Sequence, residues 1–198
     1  ALGAMGCFVM DPVFWALKLE EAPYFTVEAE STGITSLAYP SASTIHYSFP
    51  ARGDMPPVTI TWRDGGRKPP FPDEWPDNRK QLGSNSIFVI GDKHTLTTDQ
   101  ATGTYTTRLV AESLMTSIEM PEKQLPRLER DPRFNPARHQ QEWIRACKSG
   151  KQPSASFDYS APLTEMVLLG NVALLSGKKI QWNPKRFEIS NLPEANKY

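Results

Sequence analysis

The chain is predicted to fold as one α+β domain over residues 1–198, with helical signals at both ends and strand signals between them. Three observations carry that prediction. Met5, Phe8, Val9, Trp15, Ala16 and Leu19 recur roughly at helical spacing. From Phe25 the period shortens to two: Phe25, Val27 and Ala29 alternate with Thr26, Glu28 and Glu30, the pattern of an antiparallel sheet covered on one side. Late in the chain, Leu163 to Leu174 is apolar around almost the whole circumference of a helix.

Taken in order, the front helix first meets Asp11-Pro12. Pro12 cannot donate to the preceding turn, so either the helix kinks there or a second one starts with Asp11 as its N-cap. Ile45, Tyr47 and Phe49, then Val58, Ile60 and Trp62, mark two more strands, and Asp64-Gly65-Gly66 supplies a tight turn. Lys68 to Asp77 is too proline-rich for regular structure and predicts a loop or an extended strap. Strands resume at Ser86–Ile90, His94–Thr98 and Tyr105–Val110. Asn135-Pro136 caps a helix running to Lys148, with Trp143, Ala146 and Cys147 on its apolar stripe. Ser160 with Pro162 opens the apolar helix, which ends at Ser176-Gly177 and should be buried on more than one side. Lys179–Trp182 is a last strand before a polar tail.

Composition excludes several classes. Lys+Arg and Asp+Glu are equal at 22 each, so no net field recruits nucleic acid or an anionic membrane. The longest apolar stretch, Met166 to Leu175, is broken by Gly170 and Asn171 and is too short to span a bilayer. Cys7 and Cys147 read as free buried thiols. His46, His94 and His139 have no Cys or acid at ligand spacing, so no metal site is expected. Gly3 and Gly6 lack the third glycine and the preceding strand of a dinucleotide fingerprint, so this chain is not expected to bind a nicotinamide cofactor by itself. Trp15, Phe71 and Trp75 could stack on sugar rings, with packing as the competing account.

Several longer segments carry a resemblance: MGCFVMDPVFWALKL, VTITWRDGG, FVIGDKHTL, HQQEWIRACKSGK, FDYSAPLTEMVLLGNVALLSGKKIQWN and the closing LPEANKY. Together they resemble the C-terminal domain of the glucose–fructose oxidoreductase / inositol dehydrogenase (Gfo/Idh/MocA) family, in a bacterial subgroup. The resemblance implies a large, open-faced, mostly antiparallel sheet with helices on one face and the other face free for contact with a second copy. It also implies a separate N-terminal Rossmann domain, absent from this chain, that holds NAD or NADP in the full-length protein. The compartment implied is bacterial cytoplasm or periplasm.

In that family the second domain carries an Asp and a His four residues apart in a Gly-Asp-x-Gly-x-His-x-x-Asp arrangement, one helix face exchanging the substrate's hydroxyl proton. Matched residue by residue, the Asp position is Ala4 and the His position is Phe8, with Gly6 and Asp11 retained. Neither alanine nor phenylalanine exchanges a proton, so this chain alone is expected to be inactive. Asp11 is the candidate catalytic acid left, with helix capping as the alternative. Trp15, Arg52 in the loop ARGDMPP, and Asp158 and Tyr159 ahead of the apolar helix are candidate substrate-binding residues. A solvated loop arginine is the plainer reading of Arg52. The function implied is an NAD(P)-dependent oxidoreductase acting on a sugar or polyol. The alternatives are a catalytically silent carbohydrate-binding or assembly module, or an NAD-assisted glycosidase in the full-length protein.

Overall fold

The computed structural model describes residues 2–35, 38–76, 83, 85–99, 106–119, 121–122 and 138–198. Helix α1 (Leu2–Ala16) precedes strands β1 (Phe25–Ser31), β2 (Ser43–Phe49), β3 (Val58–Arg63), β4 (Ile87–Ile90), β5 (Thr95–Asp99) and β6 (Thr106–Leu109). Helices α2 (Arg138–Ser149) and α3 (Phe157–Ser176) follow, then β7 (Ile180–Asn183) and β8 (Glu188–Ile189). The chain divides into two compact units, Ala1–Pro69 with Phe157–Tyr198, and Pro70–Ser156. The α+β class and the antiparallel pairing are as the alternation predicted. The described strands nevertheless form two sheets rather than one: five strands in the order β3-β2-β1-β7-β8, and three in the order β4-β5-β6.

Strand alternation builds the first sheet. Val27 faces Tyr47, which faces Ile60, and all three point to one side with Phe25, Ile45 and Ile180. Leu2, Met10 and Phe14 of α1 and Leu163, Met166, Val167 and Ala173 of α3 close this core. Glu28, His46 and Thr61 pair across the opposite face, where His46 Nδ1 lies 3.1 Å from Thr61 Oγ1. Beyond β3, Gly65 adopts φ +65°, and a Cβ there would run into the Ser41 carbonyl and Ala42. The turn is tied back when Asp64 Oδ1 accepts the Ser43 N–H at 2.7 Å and its hydroxyl at 2.8 Å.

Helix α1 runs unbroken through Pro12, so Asp11 is an interior helical residue and not an N-cap. Proline in a helix interior costs about 3 kcal/mol, but Met10 and Phe14 on either side are locked in the core and hold the turn. Helix α3 begins at Phe157, which puts Asp158 and Tyr159 inside its first turn rather than ahead of it. It ends where the prediction put it, at Gly177 with φ +63°, whose N–H bonds the Ala173 carbonyl.

Helix α3 is covered by α1 on one side and by β1 on another, so it is buried on more than one side as predicted, while Leu168 and Leu175 stay exposed. Burial differs from expectation in two places. Cys7 is half-buried and Cys147 exposed, so neither is a core thiol. On α2, Trp143 and Ile144 are exposed, because no described helix or strand packs broadly over that stripe. The proposed cap at Asn135-Pro136 and the strand residue Tyr105 lie outside the described residues. No described helix is long and apolar enough to cross a membrane.

Candidate functional site

Spacings of four, three and four place Ala4, Phe8, Asp11 and Trp15 along one ridge of α1. Phe8 is 58% exposed and Trp15 55%, Ala4 is exposed and Asp11 half-buried. Helix α3 lies antiparallel beside it. A Cβ on Gly3 would meet Asn171, one on Gly6 would meet Val167 Cγ1 at 2.6 Å, and Cys7 Sγ sits 3.9 Å from Thr164 Oγ1. The outward stripe of α3 carries Phe157, Ala161, Leu168 and Leu175, all exposed. Two neighbouring helices thus present a largely apolar surface, interrupted by Asp11 on α1 and Thr164 on α3.

That acid is fastened. Tyr159 Oη donates to Asp11 Oδ1 at 2.6 Å, across 148 residues of sequence. Hydroxyl-to-carboxylate bonds of this length are among the strong ones. The Tyr159 ring also meets Phe14 edge-on, with centroids 5.7 Å apart. Burial, reinforced by the bond to Asp11, pushes the Tyr159 phenol well above its ordinary range, so it stays a donor at physiological pH.

The remaining candidates are elsewhere. Arg52 is only 4% exposed, which corrects the solvated-loop reading. Its Nε donates to the Leu17 carbonyl at 2.7 Å, and Nη1 donates to those of Pro50 at 3.2 Å and Pro56 at 3.0 Å. The first bond ties the loop to the end of α1, and the other two close the loop on itself. Asp158 is exposed in the first turn of α3, where a carboxylate suits the positive end of the helix dipole. Among the described residues no group of three His, Cys, Asp or Glu is placed to hold a metal ion.

One acid escaped the sequence reading. Glu165, the single carboxylate in LTEMVLLGNVALL, accepts the Trp182 indole N–H at 3.3 Å. Burial raises its pKa, and the indole bond only partly opposes this. A lone acid inside an apolar helix was the available signal. Because the folded state prefers the protonated form, its destabilising effect appears as pH rises from below the ordinary carboxylate range through the raised folded value. Glu165→Gln keeps the acceptor and removes the charge. Melting at pH 7 should rise by roughly 1–2 °C, with the gain vanishing near pH 3; a gain independent of pH would contradict this account.

The chain matches no family model and no curated protein.

Proposed function

We propose that this chain is the substrate-binding and assembly part of an NAD(P)-dependent oxidoreductase acting on a sugar or polyol, its helix face forming one wall of a site that a cofactor-bearing body completes. The ridge of Ala4, Phe8, Asp11 and Trp15 carries the reading, because it is uncovered, apolar and holds one fastened acid. The resemblance to the Gfo/Idh/MocA family supports it, since the same ridge is where that family bears its proton-exchanging pair. An apolar face this long favours association, either with the cofactor body or with a second copy. The polar sheet face bearing Glu28, His46 and Thr61 is the other surface open to a second copy.

The described residues do not fit the cofactor itself. Every described strand pairing is antiparallel, and no glycine-rich strand-to-helix loop occurs among them. On this reading NAD(P) belongs to another body. On this chain Trp15 would offer a ring face to sugar C–H groups, and Asp11 would accept a hydroxyl hydrogen bond while Tyr159 keeps it oriented.

Ala4 and Phe8 favour a second reading, a silent carbohydrate-binding or assembly module, because neither side chain moves a proton. One experiment separates the two. Both residues are exposed, so Ala4→Asp with Phe8→His should fold. In the longest natural chain carrying this segment, the double variant should reduce NAD or NADP with some sugar or polyol at least about 10²-fold faster than the parent. A folded double variant that is inert across a broad sugar panel would reject the oxidoreductase reading in favour of the silent module.

A further inference from the structure

The unit Pro70–Ser156 contains an aromatic cluster that the helix-face reading does not use. The Phe71 and Trp75 rings stack with centroids 5.0 Å apart and planes 29° apart, and Trp75 meets Phe88 of β4 edge-on at 5.2 Å. These three rings form a continuous series. The segment is held in place: Pro70, Pro72 and Pro76 fix their own φ, and the Trp75 N–H closes a turn onto the Pro72 carbonyl at 2.8 Å. Thr95, buried in β5, donates to Glu74 Oε1 at 3.4 Å and anchors that turn to the three-stranded sheet. Trp75 covers one side of the Phe71 ring, yet Phe71 remains 43% exposed, so its other side faces solvent. Asp73 and Glu74, both exposed, occupy the turn between the two rings.

We propose that the outward face of Phe71, backed by Trp75 and Phe88 and adjoined by the turn that carries the exposed Asp73 and Glu74, is a binding platform for a saccharide. A pyranose has an apolar face of C–H groups and a rim of hydroxyls. The negative face of an aromatic ring attracts the first, and carboxylate oxygens accept hydrogen bonds from the second. The two acids of the turn disfavour a phosphate backbone. Rings already held by proline and by the stack lose little freedom when a ligand arrives, which suits a weak binder. The site is independent of the helix-face reading, and either can fail without the other.

The test uses the 198-residue chain with cellotetraose, maltotetraose, xylotetraose and chitotetraose as probes. Saturation-transfer NMR and tryptophan fluorescence report the binding. At least one probe should bind with a dissociation constant on the order of 1 mM. Phe71→Ala should weaken that binding roughly three- to ten-fold, while Phe71→Tyr preserves the ring and retains it, and Tyr39→Ala, at an exposed ring outside both candidate sites, leaves it unchanged. Asp73→Ala should weaken binding without altering the melting temperature. The proposal is overturned if none of the four oligosaccharides binds. It is also overturned if Phe71→Ala binds as well as the parent, or if Trp15→Ala abolishes binding that Phe71→Ala leaves intact. Saturable binding of tetramethylammonium at these rings in place of any saccharide would equally overturn it and assign a cation site.

Discussion

Gly170→Ala should cost about 2–4 kcal/mol of folding stability, seen as a lower urea midpoint at unchanged slope. A Cβ at that position would run into the Tyr47 hydroxyl and Leu2 Cδ2, where α3, α1 and strand β2 come together. Leu2 can rotate away, but the Tyr47 ring cannot: it is 0% exposed and packed in the core on the apolar face of the sheet. Its hydroxyl has no hydrogen-bond partner among the described residues, and burial without one pushes that phenol far above its ordinary range. Leaving a buried hydroxyl unpaired is itself unfavourable, so Tyr47→Phe alone should stabilise the fold by about 1 kcal/mol. The double variant should then recover a substantial part of the Gly170→Ala loss, because the atom in the way has gone. Strict additivity of the two changes would show that they do not share this contact.

Arg52→Ala should be of similar size, about 3 kcal/mol. Three carbonyls, from Leu17, Pro50 and Pro56, lose the same donor group at once. Two of the three belong to prolines, which cannot donate and which restrict how the loop can move to find other partners. Arg52→Lys should restore only a minor part, because one ammonium on a flexible stem replaces a planar fork that reaches three acceptors. Amide exchange offers a local check. The Arg52 and Met55 N–H groups, which bond each other's carbonyls at 3.0 and 2.8 Å, should exchange faster in Arg52→Lys. Unchanged protection of both with unchanged stability would contradict the role assigned to the side chain.

Much of the local structure was legible in the residues. Strand β3 occupies Val58–Arg63, the stretch where Val58, Ile60 and Trp62 alternate with Thr59, Thr61 and Arg63. Gly65 and Gly66 take positive φ at the predicted turn, and Gly177 stops α3 where a glycine should. These features depend on side-chain period and on backbone freedom, both of which are properties of a few consecutive residues. Pro12 left two outcomes open for the same reason, one helix passing through it or a second one starting there. Its local preference to start a helix was real, but the burial of Met10 and Phe14 against the sheet carried α1 past it.

The candidate site was legible only in part. The ridge from Ala4 to Trp15 follows from spacing alone once α1 is a helix. The bond that fastens Asp11 does not, because Tyr159 arrives from the far end of the chain on α3. Arg52 carried no sequence mark separating a loop arginine in water from one holding three carbonyls. The division of the strands into sheets of five and three was equally hidden, since alternation reports which face is buried and says nothing about which strands pair.

What the amino-acid order determined by itself, then, is the α+β class, the position of its turns and most of its strands, and the absence of proton-exchanging side chains at positions 4 and 8. Tertiary structure alone decided that Asp11 and Tyr159 meet, that Glu165 lies against Trp182, and that the hydroxyl of Tyr47 faces Gly170. The physical reason is range. Propensity and periodicity act over a few residues, whereas a hydrogen bond or a steric contact between distant segments exists only after packing has fixed the distance between them.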